Sequence, residues 1–413
     1  MLTAANAKLA RLYPGDPIGR QPVHTFIDSA DLFTSDSAQR AGRQAIDTLN
    51  TYAPTAQAFA RILGLPASHP GLAEAVRNRV VAKLEREPIE DYRLDFEDGY
   101  GTRPDAEEDG HAESAARQVA AGMKEGTLPA FIGIRIKPMS REHTARSLRT
   151  LDIFVTTLIK AARGLPANFA VTATKVMTPA HVSVLAQRCS TLERKLRLKR
   201  QSIQLELMIE TPQAILRPDG SVALPALVKA GRGRVRGAHF GVYDYTTLCG
   251  IAAAWQHPRH LACDVAREMM RISLAQTGVS LSDGSSNVLP KPPHVQDAWK
   301  QHFDDVTHSL VNGYYQGWDL HPAHLPTRYA AVYAFYLSAR PAATVRLSNF
   351  FNKAAQAGAA FDDAATGQAL LNFFSRALSS GAITVAEAME TGLTEAQLGG
   401  GSFAALISPR GKM

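Results

Sequence analysis

The sequence predicts a (β/α)8 barrel, also called a TIM barrel, followed by a C-terminal helical extension. The first observation is the rhythm of the chain, in which eight apolar, strand-like runs alternate with helical stretches over roughly 300 residues. The second is that nearly every run ends at a charged residue, as expected where active-site residues follow barrel strands. The third is that no GxGxxG motif follows the first run, which disfavours the structural alternative, an open doubly wound sheet with a dinucleotide site.

The predicted elements divide the chain into three parts. Residues 1–22 form an irregular lead-in with three prolines, residues 23–326 form the barrel, and residues 327–413 form a helical segment with a Gly-rich end. The predicted strands lie at residues 23–28, 92–96, 131–136, 169–177, 203–209, 238–243, 278–284 and 314–320. The predicted helices lie at residues 38–49, 72–85, 107–124, 179–196, 226–230, 264–276, 329–339, 342–357 and 367–378, and a further helix follows Pro138 and ends at Arg163.

The charge of the chain allows a nucleic-acid partner, but its pattern does not favour one. The chain has 413 residues, 45% of them hydrophobic, a formal net charge of +7 and a pI near 9.3. Its basic clusters, at residues 194–200 and 232–236, lack interleaved aromatic residues and any nucleic-acid motif. We therefore interpret them as solvated faces and expect no nucleic-acid partner. A basic surface also steers small anionic substrates toward a protein.

The cysteines and the start of the chain indicate a cytoplasmic protein. Cys189, Cys249 and Cys263 form no CxxC pair and leave an odd count, which argues against a disulfide framework or a zinc site. The first residues lack a basic segment followed by an apolar core, and no run of eighteen apolar residues occurs. We expect no membrane partner.

The stretch at residues 203–248 carries the strongest chemical signal. A buried strand ends at Glu210, and a second apolar run ends at Asp244, with a short helix and a Gly/Arg loop between them. A strand, helix and strand in succession predict parallel neighbours with both carboxylates at the same edge of the sheet. Two hard oxygen ligands on adjacent strand ends suit Mg²⁺, with water and substrate oxygens completing its octahedron.

Polar residues also follow the other predicted strands, and most have a structural alternative. They are Asp95, Glu97 and Asp98 after the second strand, Arg135 in the third, Lys175 in the fourth, Asp283 in the seventh and His321 after the eighth. The three acids are equally placed to cap the following helix, and Asp283 lies in a turn signature. Lys175 and His321 fit a salt bridge at the barrel rim or a satisfied core group as well as a site. Arg135 is harder to explain structurally, because a buried guanidinium requires an anion.

Five short motifs at strand ends occur in a fixed order. They are Asp95-Phe96-Glu97-Asp98-Gly99, Gly133-Ile134-Arg135-Ile136, Met208-Ile209-Glu210-Thr211-Pro212, Phe240-Gly241-Val242-Tyr243-Asp244-Tyr245 and Gly317-Trp318-Asp319-Leu320-His321-Pro322. Together they resemble the strand-end motifs of the HpcH/HpaI aldolase and citrate lyase β-subunit superfamily, which are phosphoenolpyruvate/pyruvate-type barrels. The resemblance covers about residues 23–378.

The resemblance implies roles for particular residues. Glu210 and Asp244 occupy the positions that bind Mg²⁺, for which Mn²⁺ is an alternative. Arg135 occupies the position that binds the substrate carboxylate or the enolate oxygen, and Glu97 and Asp98 match an acidic cluster beside the metal. Residues 361–369 resemble the lid segment of malyl-CoA lyases, with Asp362 at the position of an acid that often acts over a neighbouring subunit's site. The family thus implies a C-terminal lid and a homo-oligomer, although a helix cap is an equal interpretation of Asp362.

The resemblance also has gaps. The first strand, ending in Ile27-Asp28-Ser29-Ala30-Asp31, lacks the Pro-Gly or Arg that follows it in many citrate lyase-like members. No set of residues that would hold coenzyme A is evident, so its use stays open.

The expected activity is that of a Mg²⁺-dependent carbon–carbon lyase or aldolase that acts through a metal-stabilised enolate. Its substrate would be a small 2-oxo acid, a hydroxy acid or an acyl-CoA-type compound, bound by Arg135, Lys175 and His321. The general base is left open between Asp362, a water held by Glu97 or Asp98, and His321. The alternatives are phosphoryl chemistry on phosphoenolpyruvate, and a catalytically degenerate barrel that binds anions or regulates a partner.

Overall fold

The protein folds as an eight-stranded parallel barrel surrounded by helices. The computed structural model describes residues 2–17, 19–66, 68–357 and 364–399, together with residues 402, 403 and 406. The strands are β1 (His24–Ser29), β2 (Asp91–Asp95), β3 (Phe131–Ile136), β4 (Phe169–Ala173), β5 (Gln204–Ile209), β6 (Val235–Phe240), β7 (Ser280–Ser282) and β8 (Gly317–Asp319). The predicted fold class is confirmed.

The strand order is β7-β6-β5-β4-β3-β2-β1-β8, and all neighbours are parallel. The remaining gap lies between the short strands β7 and β8. There the backbone N–H of Asp283 donates to the carbonyl of Gln316 at 2.8 Å, and Ser285 forms an isolated bridge with Trp318. The barrel is therefore nearly closed, and the C-terminal ends of all its strands face one mouth.

Sixteen α-helices lie within the described residues. They are α1 (Leu2–Leu12), α2 (Ser37–Tyr52), α3 (Ala56–Leu63), α4 (Leu72–Arg86), α5 (Asp105–Glu125), α6 (Thr144–Ala162), α7 (Pro179–Lys195), α8 (Pro212–Ile215), α9 (Leu224–Ala230), α10 (Val242–Leu248), α11 (Leu261–Leu274), α12 (Val295–Val311), α13 (Leu325–Ala357), α14 (Ala364–Ser379), α15 (Val385–Met389) and α16 (Glu395–Leu398). None of these helices combines the length and apolar character that crossing a bilayer requires.

Two helical segments differ from the sequence prediction. The lead-in predicted to be irregular contains α1, which buries none of its residues against the rest of the chain. The helices predicted at residues 329–339 and 342–357 are one continuous helix, α13, with Pro341 inside it. This helix packs on α4 and α12, so the first part of the C-terminal segment belongs to the body of the barrel.

Side chains from alternate strand positions fill the barrel interior in layers. In the lower layer Arg93 is fully buried and contacts Asp91 at 2.6 Å and Glu206 at 2.8 Å. Gly133 leaves room for this guanidinium, because a Cβ at Gly133 would collide with Arg93 Nη1. The lower interior is thus an ion-pair network rather than an apolar plug.

Two further layers lie above this network. The middle layer is a small apolar cluster of Ile27, Met208 and Trp318. The upper layer, at the C-terminal ends of the strands, is polar again and contains Asp95 and Arg135, whose Cα atoms are register partners on β2 and β3. The candidate site is built on this upper layer.

Candidate active site

One lysine contacts four carboxylates at the barrel mouth. The Lys175 ammonium forms ion pairs with Glu97 and with Asp98, the latter at 2.9 Å, and lies 3.7 Å from Asp244 Oδ2. The backbone N–H of the same residue donates to Glu210 Oε1 at 2.6 Å. The structure therefore brings together five of the residues singled out from the sequence.

Glu210 directly follows β5 and is held on two sides. Lys175 fixes one carboxylate oxygen, as described above, while the side chain lies against the backbone of Gly241. A Cβ at Gly241 would lie 2.7 Å from Glu210 Oε2 and would collide with Glu210 Cβ. Glu210 as a whole is 3% exposed, so the position of its carboxylate is set by the strand ends around it.

The sequence predicted that Asp244 ends a strand, but in the structure it lies inside a helix. β6 ends at Phe240, and Asp244 lies in the first turn of α10, where an acidic residue is favourable. Val242 and Tyr243 prolong the apolar pattern, but they belong to the helix. The carboxylate still reaches the same cluster as Glu210, and the prediction that β5 and β6 are parallel neighbours is confirmed.

Arg135 is engaged by a protein carboxylate. Its Nε donates to Asp95 Oδ1 at 2.7 Å and its Nη2 to Asp95 Oδ2 at 2.6 Å, while Nη2 lies 3.5 Å from Glu97 Oε2. Nη1 has no hydrogen-bond acceptor among the described residues. The anion that a buried guanidinium requires is thus Asp95, and one end of the guanidinium stays available.

The acidic turn after β2 also stabilises its own backbone. Asp95 accepts hydrogen bonds from the backbone N–H of Glu97 at 2.9 Å and of Gly99 at 2.7 Å, and Glu97 accepts one from Asp98 N–H at 3.0 Å. The N-cap of the following helix, α5, is Pro104, so the helix-capping alternative for these acids is wrong. The hydrogen bonds within the turn leave the contacts of these acids with Arg135 and Lys175 in place.

Burial and crowding shift the pKa values of these acids. Burial raises the pKa of Glu210 to about 8, and the nearby carboxylates of Asp244 and Glu97 add to the shift. Burial also raises the pKa of Glu97 to about 7, against the opposing effect of Arg135. The cluster contains five acidic side chains and only two basic ones, Arg135 and Lys175.

The carboxylates line a cavity of about 550 Å³ at the mouth of the barrel. Its apolar wall includes Met208, Phe240 and Trp318, and its polar wall includes five carboxylates, those of Asp28, Asp95, Asp98, Glu210 and Asp244. Arg135 is the only cation among the described lining residues, and Asp95 already pairs with it. Even with the Lys175 ammonium beside Asp98 and Asp244, the carboxylates outnumber the two cations, and this excess of hard oxygen donors fits a divalent cation such as Mg²⁺.

Comparison with known proteins gives a family and a fold. The family described as "Domain of unknown function (DUF6986)" matches residues 2–406. The chain belongs to the DUF6986 family. Comparison with curated protein sequences gave no match.

Solved structures share the fold of this DUF6986 member at low sequence identity. A citrate lyase from Burkholderia xenovorans LB400 is 19% identical, with a TM-score of 0.52, and the match covers 76% of this chain and 91% of that one. Malate synthase from Haloferax volcanii is 14% identical, with a TM-score of 0.51, over 91% of this chain and 99% of that one. The resemblance to citrate lyase-type barrels is thereby confirmed for the fold.

Two sequence-predicted residues of the DUF6986 chain are not part of the carboxylate cluster. His321 is absent from the cavity lining described above, and its Nδ1 accepts a hydrogen bond from Ala323 N–H at 3.1 Å, capping a short 3-10 helix. Asp362 lies outside the described residues. Their proposed roles in substrate binding and catalysis stay predictions.

The DUF6986 chain contains a second group with metal-ligand chemistry, deep in the protein. Ligand atoms of His302, Asp319 and His324 lie within 4.8 Å of one another, and all three side chains are buried. The two nitrogens of His302 lie 2.7 Å from Thr327 Oγ1 and 3.0 Å from Asp319 Oδ1.

Asp319 already has a cationic partner. Arg328 Nη2 donates to its Oδ1 at 2.9 Å, and His24 Nδ1 lies 3.0 Å from its Oδ2. Burial alone would favour the neutral acid, but Arg328 and the histidines hold the pKa of Asp319 well below its usual range. We interpret this group as a satisfied structural network rather than as a cation site.

Asp28 and Trp318 line the cavity but were not proposed from the sequence as functional residues. Asp28 is the penultimate residue of β1, so the strand-end rule that selected the other acids also applies to it. Burial raises its pKa. Trp318 lies inside β8, and its Nε1 donates a hydrogen bond to His239 Nδ1 at 2.9 Å. No sequence signal distinguishes this tryptophan from an aromatic residue of the core.

Proposed function

We propose that this DUF6986 member is a divalent-metal-dependent enzyme that cleaves or forms a carbon–carbon bond of a small oxo acid, hydroxy acid or acyl-CoA-type substrate. The observation that carries the proposal is the convergence of Glu97, Asp98, Glu210 and Asp244 on Lys175 at the barrel mouth, where Asp98, Glu210 and Asp244 line one cavity. Substrate-sized volume, excess carboxylate oxygens and a paired arginine are combined there. Barrel enzymes place their active sites at this end of the strands.

Glu210 and Asp244 are the residues we propose as metal ligands. Glu210 presents Oε2 while Lys175 N–H holds Oε1, and Asp244 approaches from α10. When bound, a divalent cation would act as a Lewis acid that draws charge from a substrate carbonyl or carboxylate oxygen. The protein's own part is to hold the two acids in place before the cation arrives.

Arg135 is proposed to bind the substrate carboxylate or the oxygen on which negative charge develops. Asp95 fixes the plane of the guanidinium through two hydrogen bonds, and this orients Nη1 without occupying it. A preorganised donor of this kind contributes roughly 3 kcal/mol to transition-state stabilisation. The Asp95 pair is thus a device for positioning Arg135.

Proton transfer is assigned to the acidic turn after β2. Glu97 contacts both Arg135 and Lys175, and Asp98 contacts Lys175, which also reaches the proposed metal ligands. From this place a carboxylate can hold or move a proton directly or through one water. Asp362 and His321 remain the alternatives for this role.

The fold is shared by enzymes that cleave a carbon–carbon bond and by enzymes that form one. One fold neighbour is a citrate lyase and another is a malate synthase. The proposal therefore covers both directions, and the experiment must assay both.

The test compares wild-type protein with Glu210→Ala and Asp244→Ala. Mg²⁺ binding is measured by calorimetry, and retro-aldol cleavage, oxaloacetate decarboxylation and condensation are assayed with a panel of small oxo and hydroxy acids, with and without coenzyme A esters. We expect Mg²⁺-dependent turnover in the wild type and loss of both binding and turnover in each variant. Variants that retain Mg²⁺ affinity and turnover would refute the assignment.

Two other outcomes would replace the proposal. Phosphate release or transfer from phosphoenolpyruvate without aldol activity would favour phosphoryl chemistry on the same barrel. Strongly salt-dependent nucleic-acid binding, together with no Mg²⁺-linked rise in melting temperature, would favour a non-catalytic barrel that uses its basic surface.

A further inference from the structure

The backbone of Lys175 has an unusual conformation. Its φ is 47°, in the left-handed region that a residue with a side chain seldom adopts. In this conformation its N–H points at Glu210 Oε1 at 2.6 Å while its side chain turns toward the acidic turn after β2. A strained backbone that aims two groups of one residue at four carboxylates indicates a functional constraint.

The ammonium and the guanidinium at this site differ in how firmly they are held. Arg135 is fixed by two hydrogen bonds to Asp95 and its side chain is 11% exposed. The Lys175 side chain is 27% exposed and ends in a point charge on a flexible stem, so it can turn toward solvent. Of the two protein cations, Lys175 is the one able to leave the carboxylates.

We propose that Lys175 has two separable roles, and this inference rests on the metal assignment made above. Its ammonium is a built-in counter-ion that holds Glu97, Asp98 and Asp244 together in the metal-free protein and gives way when a divalent cation binds. Its backbone N–H positions Glu210 for that cation in both states. Lys175 is therefore a positioning residue and a competitor of the metal, which differs from the substrate-binding role predicted for it.

The competition follows from the charges. A divalent cation between Glu210 and Asp244 would lie close to an ammonium that is 3.7 Å from Asp244 Oδ2. Two positive centres at such separations repel strongly in a partly buried site. Removing the ammonium should strengthen cation binding and should weaken the metal-free fold, because four carboxylates then remain with less compensation.

The test uses three variants of the full-length chain. Lys175→Gly and Lys175→Ala both remove the ammonium, but only glycine tolerates the left-handed backbone without strain. Lys83→Ala is the matched control, because Lys83 also lies between two glutamates, 2.6 Å from Glu87 and 2.6 Å from Glu90, before β2 at the opposite end of the barrel. Mg²⁺ affinity is measured by calorimetry on chelator-treated protein, and melting temperature is measured with and without Mg²⁺.

We expect Lys175→Gly to bind Mg²⁺ roughly tenfold or more tightly than the wild type, with a lower melting temperature in the metal-free state and a larger rise on adding Mg²⁺. We expect Lys175→Ala to bind more weakly than Lys175→Gly, because strain disturbs the N–H that positions Glu210. Lys83→Ala should melt earlier with unchanged Mg²⁺ affinity.

The outcomes separate this inference from the proposed function. If the wild type binds Mg²⁺ and Lys175→Gly binds it no more tightly, the counter-ion role is wrong while the metal site stands. Equal affinities of the glycine and alanine variants would overturn the positioning role of the backbone. If neither the wild type nor Lys175→Gly binds Mg²⁺, the metal assignment and this inference fail together. If Lys175→Ala does not fold, Lys175→Gln replaces it in the comparison with glycine.

Discussion

Arg135 on β3 donates two hydrogen bonds to its register partner Asp95 on β2, at 2.7 and 2.6 Å. This pair closes the upper layer of the barrel interior, and Arg135 lines the cavity with Nη1 left unbonded by the described residues. The Asp95 carboxylate also explains why β3, which is otherwise apolar, can carry an arginine that is largely shielded from solvent. Asp95 in turn caps the backbone of the acidic turn, so one carboxylate links the arginine to Glu97 and Gly99.

We expect Asp95→Asn to lower the free energy of unfolding by about 3–5 kcal/mol, because a buried guanidinium loses its charged partner. Chemical denaturation at neutral pH measures the change. The control is Glu113→Gln, which removes a solvent-exposed ion pair with Arg117 and should change stability by less than about 0.5 kcal/mol. Equal effects of the two substitutions would show that the Asp95 pair is no more than a surface contact.

The barrel could be predicted from the sequence because its strands are nearly continuous apolar runs. The run at residues 131–136 matches β3 at both ends. Asp244 shows the limit of this signal, because Val242 and Tyr243 continue the apolar pattern past the true end of β6 and hide the start of α10. Helix α1 was missed because the prolines at positions 14, 17 and 22 favoured an irregular lead-in, and the helix buries none of its residues.

The candidate site was only partly readable from the sequence. Residue types at strand ends identified Arg135, Lys175 and Glu210, because parallel strands bring their C-terminal ends together. The pairing of Arg135 with Asp95 required the register of β2 and β3, which no local pattern gives. The left-handed backbone conformation of Lys175 could not be predicted from the sequence, because the residues that usually indicate that conformation are glycine and asparagine.

Gly241→Ala should weaken Mg²⁺ binding by roughly ten- to a hundredfold, the usual cost of disturbing the support of a metal ligand. A Cβ at this position would collide with Glu210 Cβ and lie 2.7 Å from Oε2, so the carboxylate must move. Calorimetric titration with Mg²⁺ measures the effect.

Gly110→Ala provides the control for that substitution. Gly110 lies within α5 with open space around its Cα, so alanine should raise the free energy of unfolding by up to about 1 kcal/mol and leave Mg²⁺ affinity unchanged. Unaltered Mg²⁺ binding in Gly241→Ala would mean that Glu210 does not need its present position.

Asp319→Asn should destabilise the protein by about 3–5 kcal/mol without changing Mg²⁺ affinity, because Arg328 and His302 lose a buried anion that lies outside the proposed site. Unfolding curves recorded with and without Mg²⁺ should shift by the same amount relative to wild type. A loss of stability seen only in the presence of the cation would instead assign a metal to the His302, Asp319 and His324 group.

Thiol reactivity should distinguish the three cysteines. Burial raises the pKa of Cys189 and of Cys263 to about 12, so both stay as neutral thiols far above neutral pH, whereas Cys249 is exposed. In the native protein at pH 8, Ellman's reagent should react rapidly with one thiol, and after unfolding with three. Native Cys249→Ser should give no rapid reaction, and a rapid second thiol would contradict the burial of these side chains.

We propose that Glu210 and Asp244 hold one divalent cation at the barrel mouth. Anomalous X-ray diffraction from crystals soaked in Mn²⁺ locates such an ion independently of any assay. We expect one peak within roughly 2.0–2.3 Å of a carboxylate oxygen from each residue, with the Lys175 ammonium moved away from Asp244. A peak at the buried His302 group, or no peak between these two carboxylates, would refute the shared site.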